Sequence, residues 1–418
     1  MSGQNDSGGG CFLWFITWIF RAFRNRKIKK YNERSRGMFQ QESITTDMLF
    51  PSESFQDNII VSGGGDGERL RFGERIIENC SSRNHAMIIL HLGNGSLENV
   101  IATKGLGVIA GKNSKIYDPF TSFELPEISQ VVLDTCKLKY DIKPAGRYIL
   151  QIVHDLLTAQ KKRPYFANFV NFKFHQIPDR INNCLTAGEI TQAQAGELNN
   201  LLMMGQAELA KIDTFFYDMQ AQIGYMSTGA KGSQSILSTI KHGKTLCVDL
   251  SSSANVMLIE SIVNTLAIAM NRRYDFSLFI DDVAVANNEM LRHALCQRSA
   301  HNNIICSKDL FALLNGKEDV FSAIVGVSDK TVLLSHSSHL SSEKWSKYIG
   351  EYDKIDVSYS SSGGFFQSSR WGFVQNQGQT ETNKREYKVK PEEINRLPHG
   401  QVFVCDHRLG SLIQANVV

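Results

Sequence analysis

Asn58-Ile59-Ile60-Val61-Ser62 leads directly into Gly63-Gly64-Gly65-Asp66-Gly67-Glu68-Arg69-Leu70, and a helical pattern runs from Leu70 to Asn79. Strand, glycine-rich turn and helix in that order is where a phosphate-binding loop sits. Such a loop reads Gly, four residues, then Gly-Lys-Ser/Thr: backbone N–H groups cradle the phosphates, the Lys reaches the β/γ oxygens and the hydroxyl holds Mg²⁺. Here the last three places hold Glu68, Arg69 and Leu70. Leu70 offers no oxygen to a hard cation. Glu68 places a carboxylate where the phosphate would lie, and two like charges about 4 Å apart repel by roughly 4 kcal/mol at an effective dielectric of 20. Arg69 keeps the positive charge as a planar fork, which does not replace a compact ammonium. ATP with Mg²⁺ is therefore disfavoured as a cofactor. The same residues also read as a plain glycine-rich turn before a helix.

A second stretch raises the first reading. Tyr274-Asp275-Phe276-Ser277-Leu278-Phe279-Ile280-Asp281-Asp282 is an apolar run ending in two carboxylates. In a nucleotide-binding α/β fold the first carboxylate orients Mg²⁺ and its water, and the second polarises the attacking water. Asp282 is shorter than the usual Glu by about 1.5 Å of reach, and misplacements of about 1 Å can reduce rates 100-fold.

Short apolar strands recur between helical stretches: Ala86 to Leu92, Thr245 to Leu250, Phe276 to Ile280, Asn303 to Ser307, Thr331 to Ser335 and Gln401 to Cys405. This alternation predicts a parallel α/β sheet. Residues 145–240 read as an inserted all-helical domain, with Thr186-Ala-Gly-Glu189 as a capping box before a helix-rich stretch running to about Met226. The expected division is a membrane-proximal segment at 1–45, α/β portions at 46–144 and 241–418, and a flexible surface segment at 358–383, rich in Ser, Gly and Gln.

Composition narrows the classes. Charged residues make up 21% and the formal net charge is +3, without the global basic excess of a dedicated nucleic-acid binder. The eight cysteines show no CxxC pair or Cys/His spacing, which fits a reducing compartment and gives no structural zinc or other metal site. His85, His91, His242, His293 and His301 are scattered, and His336 and His339 lie in Ser-rich sequence. Cys11 to Phe20 is too short an apolar run to span a bilayer. Arg21, Arg24, Arg26, Lys27, Lys29 and Lys30 follow it, so residues 11–30 read as a shallow or in-plane anchor on an anionic membrane. A helix docked on a partner protein is the other reading, and lipidation of Cys11 is compatible with the first.

From Asn58 onward the order of elements resembles the type IV coupling proteins of conjugation and type IV secretion, the TraG/TraD-like group. Ser235 to Leu250 is similar to its strand entering the core after the helical domain, and Phe279 to Asn287 to its acidic element. Lys308 to Leu313 followed by Gly316 to Glu318 resembles its Gln-Asp-Leu segment and following turn, and Lys390 to Val404 its closing strand. The resemblance implies a RecA-like P-loop NTPase-type fold, placement at the cytoplasmic face of the membrane, and a hexameric ring. It implies type IV secretion components or a catalytic paralogue as partners, with transferred DNA or protein as substrate. Departures fall on the nucleotide site: Glu68, Arg69 and Leu70, Lys308 at the sensor-like position, and His91-Leu-Gly-Asn-Gly95 where the family has Asp-Pro-Lys-Gly. Two expectations follow. One is a coupling-protein-like subunit that binds partners or substrate without hydrolysing ATP; the other is an active ATP-driven motor with an unusual loop.

Overall fold

In the computed structural model the described residues are 8–418 except 138, 228–232, 252–255, 285–288, 298–299 and 364–374. Val285 to Asn287 of the acidic element and the middle of the Ser/Gly/Gln segment therefore lie outside them, as do the side chains of residues 11–17.

Twelve strands appear among the described residues: β1 (Met38–Ile44), β2 (Ile59–Ser62), β3 (Met87–His91), β4 (Val108–Ala110), β5 (Thr245–Asp249), β6 (Ser277–Asp281), β7 (Asn302–Ser307), β8 (Lys330–Leu333), β9 (Glu351–Gly363), β10 (Gln375–Tyr387), β11 (Gln401–Asp406) and β12 (Ser411–Val417). Ten of them form one sheet in the order β1-β12-β11-β8-β2-β7-β6-β3-β5-β4. From β8 to β4 every neighbour is parallel, and β11 alone runs against its neighbours β8 and β12.

The central strands are buried along their whole length, as parallel strands covered on both faces must be. Alternation divides their side chains between two layers. Ile59 and Val61 join Phe72, Ile76 and Ile77 of the Asp66–Ser82 helix, whereas Ile60 joins Leu310, Phe321 and Trp345 on the other face.

Between β4 and β5 the regular elements are helical, beginning at Leu125–Cys136, earlier than the expected 145. Phe216 is their centre. It stacks on Phe169 and Phe174 at 5.6 and 5.2 Å between centroids and meets Phe120 edge-on. These rings belong to the same buried cluster as Ile60, Ile88 and Leu90, so the helical part shares the sheet's core.

Two local readings are corrected. Thr186 ends the Ile177–Thr186 helix, its hydroxyl donating to Asn182 O, and the capping box is formed by Thr191 and Gln194 instead. The region around 358–383 is regular where it is described: β9 and β10 pair antiparallel, Glu351 opposite Tyr387 and Gly363 opposite Gln375. The Gly8–Arg36 helix carries the apolar and basic residues as one element, and among the described residues no helix is long and apolar enough to cross a membrane.

Candidate functional site at the glycine loop

The site forms where β2, β6, β7 and β8 end. Only Gly63, Gly64 and Gly65 separate β2 from the helix that begins at Asp66, so the loop turns sharply, with φ of +97° at Gly63 and +67° at Gly64. A Cβ at Gly63 would lie 2.7 Å from Leu334 O and from His336 Nδ1, so no larger residue fits. His336 is buried, with Nδ1 against Leu334 O at 2.8 Å and Nε2 against Ser62 Oγ at 3.0 Å; burial pushes its pKa down.

The first loop amides already have acceptors. Gly63 N–H donates to Ser307 O at 3.0 Å and Gly64 N–H to Ser335 O at 2.7 Å. Gly65 N–H donates to Glu68 Oε2 at 3.0 Å, while Glu68 Oε1 accepts from Gly400 N–H at 3.1 Å and pairs with His399 Nδ1 at 2.6 Å. Burial pushes the Glu68 carboxyl up, but the two amides and His399 outweigh it and leave its pKa below the ordinary carboxylate value.

Arg69 does not extend toward solvent. Its side chain is 4% exposed and folds back on the loop: Nη1 donates to Gly64 O at 2.8 Å and Gly63 O at 3.3 Å, and Nη2 to Asp282 Oδ2 at 2.8 Å and Asp66 Oδ1 at 2.5 Å. Asp282 sits at φ +51°, and its second oxygen accepts from Lys308 N–H at 2.8 Å. Lys308 thus meets the site through its backbone, while its side chain is exposed.

Asp281 is buried and accepts from Asn94 Nδ2 at 2.6 Å. Its pKa is raised, first by burial and also by Asp282. Asn94 comes from the His91–Gly95 turn and caps the Gly95–Lys104 helix. Leu70 packs its apolar side chain against the core under the sheet. The cavity bounded by Arg69, Leu70, Asn94 and Asp281 measures ≈ 10 Å³, about enough for one water. A larger pocket of ≈ 530 Å³ lies beyond Glu68, lined by Gly65, Arg71, Phe72, His399 and Val402 among others.

All the positions singled out from the sequence, Gly63 through Leu70, Asp281, Asp282 and Lys308, therefore gather at one end of the sheet. Sequence reading placed the His91–Gly95 turn at the site without giving Asn94 a role, and did not bring His399 and Gly400 there; those two stand in the Leu397-Pro-His-Gly400 turn, whose glycine was the available signal.

The glycine-loop strand lies one strand away from the strand carrying the acidic pair, with β7 between them and helices inserted after β4. This is the RecA-like P-loop NTPase type of α/β fold. Among solved structures the chain is similar to the bacterial conjugative coupling protein TrwBdeltaN70 in its unbound monoclinic form: TM-score 0.54, 15% identity, covering 94% of this chain and 91% of that one. It is likewise similar to plasmid coupling protein TrwB in complex with ADP and Mg²⁺, at TM-score 0.53 and 14% identity over 93% and 91% of the two chains. The chain thus has the fold of the conjugative coupling protein TrwB. No protein-family model matches it, and no curated protein matches it in sequence.

Proposed function

We propose that this chain is a coupling-protein-like component of a type IV secretion or conjugative transfer system whose nucleotide-type site is filled by its own side chains. It works by binding partners or substrate and does not hydrolyse ATP. The carrying observation is the Arg69 guanidinium, buried between the loop carbonyls and Asp282 at the place where a lysine would reach for phosphate.

ATP with Mg²⁺ does not fit the residues present. Glu68 occupies the Gly65 amide, Leu70 turns an apolar side chain into the core, and the space in front of Asp281 is the size of one water. The partners in this reading are type IV secretion components, including a catalytic paralogue in a mixed hexameric ring, with DNA or protein as the transferred substrate. Its place is the cytoplasmic face of the membrane, held peripherally by the basic N-terminal helix.

Calorimetry and steady-state assay of the full chain with ATP and Mg²⁺ test the proposal. No heat of binding and no turnover are expected. Turnover near 1 s⁻¹, within the usual range for enzymes, and abolished by Asp281→Asn, would establish the alternative of an active ATP-driven motor.

A further inference from the structure

The Gly8–Arg36 helix has two unlike faces. One is clamped to the β9–β10 ribbon: Asn32 Nδ2 donates to Ile355 O at 3.1 Å, Ile355 N–H donates back to Asn32 Oδ1 at 2.9 Å, and Arg24 pairs with Glu381 of β10, while Arg36 pairs at 2.7 Å with Glu393 of the Pro391–Asn395 helix. Ile28, Asn32 and Arg36 follow at the spacing of a single helical face.

The opposite face carries Phe20, Phe23, Lys27, Lys30, Tyr31 and Arg34, also at helical spacing. Phe20 is 70% exposed and Phe23 62%, and Tyr31 is exposed as well. Glu33 is the only acid in the whole helix, and it faces Lys29 on the flank. Two of the helix's other cations, Arg24 and Arg36, are turned to Glu381 and Glu393, whereas Lys27, Lys30 and Arg34 have no ion-pair partner among the described residues. A water-exposed face of aromatic rings interleaved with cations, on a helix pinned from behind, matches the interface of an anionic bilayer. Rings settle at headgroup level and ammonium or guanidinium groups meet lipid phosphates.

We infer that the helix lies flat on an anionic membrane through Phe20, Phe23, Lys27, Lys30, Tyr31 and Arg34, with the β-ribbon held on its far side. The inference rests on the membrane placement proposed above and adds which face is buried and that contact extends well past residue 20. The helix is then a tether along its length, not only at its apolar start.

Co-sedimentation of the full chain with neutral and phosphatidylserine-containing vesicles across a salt series tests this. Changing Lys27, Lys30 and Arg34 to Gln is expected to weaken binding to anionic vesicles by about 100-fold at low salt, with little effect on neutral vesicles. Changing Phe20, Phe23 and Tyr31 to Ser is expected to weaken binding at every salt concentration. As a charge-matched control, Lys161, Lys162 and Arg163, exposed among the inserted helices, changed to Gln should bind like wild type. If wild type binds and both outward-face variants bind equally well, the flat orientation is wrong while membrane placement stands. If wild type sediments with neither vesicle, the membrane placement itself fails. Loss of binding in the control equal to that in Lys27/Lys30/Arg34 would reduce the effect to net charge and overturn the assignment of a face.

Discussion

Arg69 Nη2 and Asp282 Oδ2 meet at 2.8 Å, joining the loop after β2 to the residue after β6 across the intervening strand β7. The same guanidinium holds the Gly63 and Gly64 carbonyls, so one side chain determines both the shape of the loop and the orientation of the second carboxylate.

Arg69→Ala is therefore expected to destabilise the protein by about 2–3 kcal/mol. Removing one partner of a fully buried pair typically costs 3–5 kcal/mol. The lower figure applies because Asp282 is 38% exposed and water can reach it once the arginine is gone. Chemical denaturation measures this; a change below about 0.5 kcal/mol would mean that the guanidinium does not hold the loop.

Glu68→Gln is expected to show a pH-dependent cost. The folded carboxyl has a pKa below its ordinary value of 4.5, so its stabilising contribution is present above that value and is lost as pH falls through the folded pKa. The variant should be less stable than wild type by roughly 1 kcal/mol at pH 7, and the gap should close as the solution is taken well below pH 4.5. Urea unfolding at a series of pH values gives both curves, and a gap that widens in acid would contradict the account of a Glu68 carboxylate held by the Gly65 and Gly400 amides.

The loop glycines are not equivalent. Gly63→Ala combines positive φ with a Cβ 2.7 Å from the Leu334 carbonyl, a backbone atom that cannot swing away, and is expected to cost roughly 3 kcal/mol or more. Gly65 has φ −83° and open space around its Cβ position, so Gly65→Ala should stay within about 1 kcal/mol. Similar melting temperatures for the two variants would show that the loop differs from the one described.

The triple change Glu68→Gly, Arg69→Lys, Leu70→Thr is expected to create nucleotide binding. It frees the Gly65 and Gly400 amides, releases Asp282, supplies a Mg²⁺ hydroxyl and opens the loop toward the ≈ 530 Å³ pocket. Binding at 100 times Kd stabilises by about 2.7 kcal/mol, which a thermal shift assay with millimolar ATP and Mg²⁺ detects. A folded triple variant with no shift would show that closure of the site does not depend on these three side chains.

The central sheet was legible because its strands are buried on both faces and read as unbroken apolar runs, as in Ile59-Ile60-Val61 and Met87 to Leu90. The strands that escaped notice lack that cover. β1, Met38-Phe-Gln-Gln-Glu-Ser-Ile44, is an edge strand with mostly polar residues, and β4 is three residues long. β9 and β10 pair only with each other; β10 has no apolar residue before Tyr387, and in β9 the alternation is confined to Ile355, Val357 and Tyr359, ahead of a Ser-rich run. Within the site, residue identities at 68–70 and 281–282 marked the place, but no sequence spacing could foretell that Glu68 would find Gly400, 332 positions away, or that Arg69 would turn inward.

The parallel pairing of β1 with β12, from Met38 opposite Leu412 to Ile44 opposite Val417, has a mechanical consequence. β1 begins one residue after Gly37, directly behind the Gly8–Arg36 helix. A pull directed along β1 and entering at Met38 meets hydrogen bonds to β12 that lie across the direction of force. They are loaded together in shear, not peeled one at a time, and through β11 the strain is shared with β8, next to the strand that carries the glycine loop. A load entering β1 at Met38 and the geometry of the loop at residues 63–65 are thereby parts of one path through the sheet.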